Sequence, residues 1–253
     1  MNNIHPGINV TDLSSHESWQ GALLRTPEMM PGGYFDVPRY EIAPLLPPAT
    51  PRRVLDVGCG TGATSAWLKT LFPTAYTIGI EGNGALLPIL AQNVDEARII
   101  DLNEPIRDVG APDLVLLLDV LEHLIQPERL LSDLVKAMAE EATMIVSLPN
   151  IAHLSVSARL FFQGRFDYHD AGILDRTHLR FFYKASALSL AHNAGLEILT
   201  ILRNGVEGPG AGPLSRLLNC LTMGLLRDRL AKQYVFSARK PLVVPSCGIH
   251  RSF

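Results

Sequence analysis

Residues 52–62 read RRVLDVGCGTG, an apolar run that passes straight into three closely spaced glycines. Val54, Leu55 and Val57 have the aliphatic character of a buried strand. Gly58, Gly60 and Gly62 then let the backbone turn tightly and approach a ligand, with amide N–H groups exposed where the next helix begins. Such a turn binds something small and polar. A dinucleotide fingerprint runs G-x-G-x-x-G, whereas here the glycines fall as G-x-G-x-G behind Asp56, whose carboxylate would repel a diphosphate. A ligand carrying an ammonium next to a carboxylate suits an acidic side chain and free N–H groups together.

Downstream of this loop, Ala66, Trp67, Leu71 and Phe72 give a helical period that Pro73 stops, and residues 75–80 read as the next strand, closed by Glu81. A helix over 84–93 and a strand over 97–102, with Asp101 at its end, complete a second β-α-β unit. Residues 112–119, PDLVLLLD, form a nearly unbroken apolar run, as a central parallel strand buried on both faces requires. From Pro127 a helix runs on Leu130, Leu131, Leu134, Val135 and Met138. Residues 143–149, TMIVSLP, are a fifth strand. A helix over 186–193 ending at Gly195, and strands over 196–202 and 234–240, follow. Strands alternating with helices at this spacing predict an α/β, Rossmann-like, doubly wound sheet of seven mostly parallel strands, whose ligands sit at the strands' carboxyl ends.

Three stretches break the pattern. Residues 1–33, rich in Pro and Gly, read as an irregular arm with a short helix around 15–24, and 241–253 as a loose tail. Residues 150–182, dense in aromatics, Arg and His, form an insertion after the fifth strand expected to act as a lid. Residues 205–231 hold a Gly-Pro-rich loop and an amphipathic helix on Leu214, Leu217, Leu218, Leu221, Leu225 and Leu230. Core packing, a contact over the substrate, a homodimer contact and a membrane-surface contact are its open readings.

Composition sets bounds. A chain of 253 residues with 47% hydrophobic content buries one sizeable core. A net charge of −3, with no basic stripe, argues against gripping nucleic acid through phosphates and favours a small-molecule acceptor. Cys59, Cys220 and Cys247 stand at unrelated spacings, so neither a disulfide framework nor a cysteine metal site is indicated, and a cytoplasmic location is expected. No stretch approaches the roughly 20 apolar residues of a membrane span.

With these motifs at these spacings, residues 34–240 resemble the class I S-adenosylmethionine (SAM)-dependent methyltransferases. The resemblance implies that Asp56 and the Gly58–Gly60–Gly62 loop hold the methionyl end of SAM and that Glu81, with Gly82, holds the ribose hydroxyls. It implies that Asp101 meets the adenine amino group with Leu102 against the ring. Asp119 would line the pocket, and Tyr34 and Arg39 would close it. Without a ligand, Glu81 reads as a solvated strand end and 34–41 as a cap on the sheet.

Methyl transfer from a sulfonium asks the protein to align nucleophile, methyl and sulfur and to take the nucleophile's proton. Asp119, Glu122 and His123, spaced D-x-x-E-H just past a strand, bring two carboxylates and an imidazole together, a set able to bind a hard or borderline divalent cation. The spacing resembles the E-x-x-E-H metal motif of ubiquinone-pathway and small-RNA 2′-O-methyltransferases, in which a later histidine, here His178, completes the ligand set. Alternatively Asp119 only lines the pocket, while Glu122 and His123 pack beside the next helix. A metal-free base is a second reading, with His178 first among His153, His169 and His178 and with His123 a further candidate. Positioning alone is the third. The 153–182 segment resembles bacterial methyltransferases of glycan assembly, implying O-methylation of a hydroxyl on a sugar or secondary metabolite. The alternatives are transfer to a carboxylate or nitrogen, or a silent SAM-binding partner subunit.

Overall fold

The computed structural model describes residues 37–206 and 213–242. The expectations for Tyr34, for a helix within 15–24, for the loop at 207–212 and for most of the tail fall outside those residues. Seven strands make one sheet: β1 Arg53–Val57, β2 Tyr76–Glu81, β3 Glu96–Ile99, β4 Leu114–Leu118, β5 Thr143–Pro149, β6 Glu197–Asn204 and β7 Gln233–Arg239. Their order is β3-β2-β1-β4-β5-β7-β6. Pairing is parallel from β3 through β5, and β7 lies antiparallel between β5 and β6. The chain runs outward from β1 through β2 to the edge strand β3 and then crosses back to β4 on the other side of β1. A crevice therefore opens at the carboxyl ends of β1 and β4.

The helices are α1 Ala63–Leu71, α2 Leu87–Asn93, α3 Pro127–Ala137, α4 Leu154–Gln163, α5 Lys184–Asn193, α6 Pro213–Leu221 and α7 Arg227–Leu230. Because successive strand side chains point to opposite faces, Leu55, Val115 and Met144 join one core with Leu130, Leu131 and Leu134 of α3 and Ala187 and Leu190 of α5. Their neighbours Val54, Leu114, Leu116 and Ile145 join the other core, with Leu68 of α1 and with Ile42 and Leu45 from a 3-10 turn, Tyr40–Leu45.

The structure moves several expected boundaries. The strand expected over 97–102 stops at Ile99, because Asp101 Oδ1 accepts the backbone N–H of Asn103 at 2.8 Å and turns the chain away. Asp101 is thus exposed in a turn. The helix expected over 84–93 opens as a 3-10 turn, Gly84–Leu86, capped by Asn83, whose side chain accepts from Ala85 at 3.0 Å. The helix expected from residue 186 begins at Lys184, since Ser186 Oγ accepts the N–H of Tyr183 at 3.0 Å and closes a capping box. Residues 150–182 contain a ten-residue helix, α4, begun by His153 and ended by Gly164 in the left-handed conformation. The amphipathic stretch splits into α6 and α7 at Met223 and Gly224, both of positive φ. Among the described residues no helix is long and apolar enough to cross a membrane.

Candidate active site

The glycine loop is fastened to β2: the N–H groups of Gly58 and Cys59 both donate to the Ile80 carbonyl, at 2.7 and 3.2 Å. Gly58, Gly60 and Gly62 have φ of 68°, 57° and 77°. A Cβ at Gly58 would stand 2.5 Å from Val120, and one at Gly62 2.8 Å from Leu90. Glycine is needed there for conformation and for space alike. At the end of β2, Glu81 accepts from Gly60 N–H at 2.8 Å through one oxygen and from Gly82 and Asn83 N–H, both at 2.9 Å, through the other. Asp56 lies beneath the loop and accepts from Ser65 Oγ in the first turn of α1 at 2.8 Å. Burial pushes its carboxyl up to about 7 against the pull of the Ser65 hydrogen bond, and the charge of Glu81 adds to the rise.

Asp119, just past β4, is a non-glycine residue at φ 58°. It receives hydrogen bonds from Arg39 Nη1 at 2.8 Å, Ser147 Oγ at 2.7 Å and Gln233 Nε2 at 2.6 and 2.7 Å. Arg39 also donates to Ser147 Oγ and to Gln233 Oε1, each at 3.3 Å, while its backbone N–H reaches Thr64 Oγ1 at 3.2 Å. Burial on its own would favour the neutral guanidine, but Asp119 and Glu41 more than offset it and hold Arg39 charged. Leu102 is half-buried against the larger core.

The turn after Asp119, a 3-10 segment Leu121–His123, sends the rest of the D-x-x-E-H motif elsewhere. Glu122 is fully buried, and neither of its carboxylate oxygens has a hydrogen-bond partner. Burial, then the charge of Asp119, hold it well above the usual carboxylate range. The rings of His123 and His178 meet edge to face at 4.8 Å between centroids. One atom from each of Glu122, His123 and His178 lies within 4.8 Å of the others. His178 Nδ1 faces the Ile173 carbonyl at 3.0 Å, and a carbonyl can only accept, so Nδ1 carries the proton. Thr177 Oγ1 donates to Asp175 at 2.7 Å and so accepts from His123 Nδ1 at 3.0 Å. Both imidazoles thereby keep Nε2 as a free lone pair. Burial depresses both, His123 to about 4, so both are neutral near pH 7.

Of the four residues expected as metal ligands, the fold thus gathers three, and the oxygens of Asp119 are engaged by Arg39, Ser147 and Gln233. His153 caps α4, its Nδ1 accepting from Ser155 N–H at 3.2 Å. His169 lines a separate cavity beside α4. Sequence reasoning missed Ser65, Thr177, Ser147 and Gln233. Only Ser147 gave a signal, as the one hydroxyl past the opening Thr143 of the otherwise apolar TMIVSLP strand.

The donor set fits SAM: the first turn of α1, whose N–H groups have no intrahelical acceptor, a buried carboxylate for an ammonium and a second carboxylate at the end of β2. The orphaned Glu122 carboxylate, with a ring nitrogen of His123 and one of His178 within 4.8 Å, fits a divalent cation. Comparison with known proteins agrees on the fold. Trans-aconitate 2-methyltransferase of Variovorax paradoxus is 28% identical over 115 residues, 45% of this chain and 44% of that protein. The chain therefore spans less than half the length of this curated relative. A SAM-dependent methyltransferase from Mesorhizobium loti superposes with a TM-score of 0.54 at 13% identity, over 79% of this chain and 95% of its own. One from Archaeoglobus fulgidus does so at 0.52 and 20%, over 75% and 86%. A family model described as a methyltransferase domain matches residues 34–201, well over half of the chain, from the segment that carries Arg39 through the glycine loop to β6. Family match, shared sheet and glycine loop lead to one assignment: the chain belongs to the methyltransferase domain family.

Proposed function

We propose that the chain methylates an oxygen of a small-molecule acceptor, a hydroxyl of a sugar or secondary metabolite, with His178 beside the reacting oxygen. The observation that carries this reading is the neutral imidazole pair, His123 and His178, buried next to Glu122 with both Nε2 lone pairs unspent. A hydroxyl must lose a proton as it takes the methyl group, and a neutral imidazole within reach accepts it. A carboxyl held protonated, like Glu122, does not.

SAM, when bound, supplies an electrophilic methyl group on a sulfonium. Asp56 and the loop N–H groups would hold its amino-acid end, Glu81 and Gly82 its ribose, and Asp101 and Leu102 its adenine. Arg39 and Asp119 would wall the pocket on the β4 side, and residues 150–182 would cover the acceptor. Glu122, His123 and His178 are the residues that would hold a divalent cation, which lowers the pKa of a bound hydroxyl. Asp119, fixed by Arg39, would then shape the pocket and leave the ion to the other three.

A second reading is transfer to a carboxylate, favoured by the relative named for trans-aconitate, whose oxygens are all carboxylate oxygens. Such an acceptor needs no base. Substitution separates the two. With a hydroxylated acceptor, His178→Ala is expected to lower kcat by about 10²-fold or more with SAM affinity unchanged by calorimetry. Wild-type turnover in His178→Ala would remove both the base and the cation role and leave transfer to a carboxylate.

A further inference from the structure

A second cavity, of about 120 Å³, lies between α4 and the loop over 165–174, and of the candidate site residues named above only His169 lines it. Arg159, Arg165 and His169 bring cationic or hydrogen-bonding groups to its wall, and Val156 and Leu174 give it an apolar side. Local folding explains why two arginines meet there. Gly164, at φ 61°, ends α4 with its N–H on the Leu160 carbonyl at 3.1 Å, and the next N–H, of Arg165, returns to the Arg159 carbonyl at 3.4 Å. The chain doubles back, and a residue six positions on lines the same space.

The charges do not cancel. Arg165 is ion-paired with Asp167 at 2.8 Å. Among the described residues no hydrogen bond or ion pair engages the Arg159 side chain. Two guanidinium groups against one carboxylate leave the cavity positive. The negative end of the α4 dipole opposes an anion here, but it is screened and weaker than a charge-assisted hydrogen bond from a guanidinium. The volume is about ten times what a single water needs, which admits an oxyanion. The inner wall includes Ile173, whose carbonyl accepts from His178 Nδ1 at 3.0 Å. An occupant of the cavity therefore rests against the residue that orients the proposed base.

We propose that this cavity binds a carboxylate or phosphate group of the methyl acceptor, with Arg159 as its main contact and Arg165 as the second. Its place in the reaction rests on the small-molecule reading above, whereas anion binding itself does not. The acceptor is then an anionic molecule whose charged group is anchored between α4 and the following loop while another of its oxygens faces His178.

The test uses the full chain and calorimetry without turnover, titrating inorganic phosphate and, separately, succinate, with S-adenosylhomocysteine uptake as the control for an intact fold. One anion per chain is expected, weakened about tenfold or more by Arg159→Gln and left within about twofold by Arg176→Gln, an exposed arginine of the same segment that does not line the cavity. Tighter phosphate would indicate a phosphorylated acceptor, and tighter succinate a carboxylated one. No uptake of either anion, or equal weakening by both substitutions, overturns the proposal. Anion uptake without methylation of any acceptor would leave the site standing and count against the reaction instead.

Discussion

At the scale of single residues, the site is governed by where carboxylates are allowed to keep a charge. Asp56 sits in the middle of an apolar sheet, its strand neighbours Gly79 and Leu116 on either side. Its folded-state pKa, about 7, stands above the usual 3.8. The protonated form is thus the one the fold prefers, so its contribution to stability is complete below about pH 3.8 and is lost as pH rises towards 7. Each pH unit in that window is worth at most about 1.4 kcal/mol. Urea unfolding of the wild type is expected to show lower stability at pH 8 than at pH 5 from this group, and Asp56→Asn is expected to flatten that difference. An unchanged difference in Asp56→Asn would mean that the Asp56 carboxyl titrates like an exposed one. A ligand ammonium placed beside Asp56 favours the charged form, so SAM uptake near neutral pH should release a proton, measurable as a buffer-dependent binding enthalpy.

At the scale of elements, the loop between β1 and α1 is held from two sides, and each glycine can be weighed by what a methyl group would meet. Alanine at any of these positions pays about 1–2 kcal/mol for a left-handed backbone. Gly58→Ala and Gly62→Ala add a collision with Val120 and with Leu90 and Asn93, whereas Gly195→Ala meets nothing within 4 Å. Unfolding free energies from urea titration are therefore expected to fall by about 3 kcal/mol for the first two and about 1 kcal/mol for the third. Equal losses at all three would show that the contacts to Val120 and Leu90 yield freely. The elements with steady signals were legible in the sequence: the loop and β1, β2, β4 and β5 are apolar runs bounded by turn residues, and β7 followed from the family resemblance. Helix α4 was not, because Phe161 and Phe162, 82% and 79% exposed, blur any apolar face. Its cap signal, Gly164 ten residues after Leu154, was present in the sequence. The site was half legible. Glu122, His123 and His178 share a motif and a resemblance, but the grip of Arg39 and Gln233 on Asp119 joins residues 80 and 114 positions apart with no local pattern to announce it.

At the scale of the whole molecule, that grip makes residues 37–45 part of the sheet's architecture. Arg39 ties this segment to Asp119 after β4, to Ser147 of β5, to Gln233 of β7 and through its backbone to Thr64 of α1. Three residues on, Ile42 is fully buried in the core that β1, β4, β5 and β7 share with α1. Tyr40 meets Trp67 edge to face at 5.1 Å between ring centroids, which gives the junction its own optical reporter. A segment anchored to five elements should leave only when the sheet itself opens. In a Trp19→Phe background, where Trp67 is the one remaining tryptophan, its fluorescence and the far-ultraviolet circular dichroism are expected to trace the same urea transition. Ile42→Ala is expected to move both curves together to lower urea, a loss of about 3 kcal/mol in unfolding free energy, the cost of a cavity in a core that cannot collapse around it. Fluorescence changing at lower urea than the dichroism would instead mean that the segment opens by itself. Asp119 would then be free of Arg39 in a folded protein, and its carboxylate would again be available to the ion that Glu122, His123 and His178 would bind.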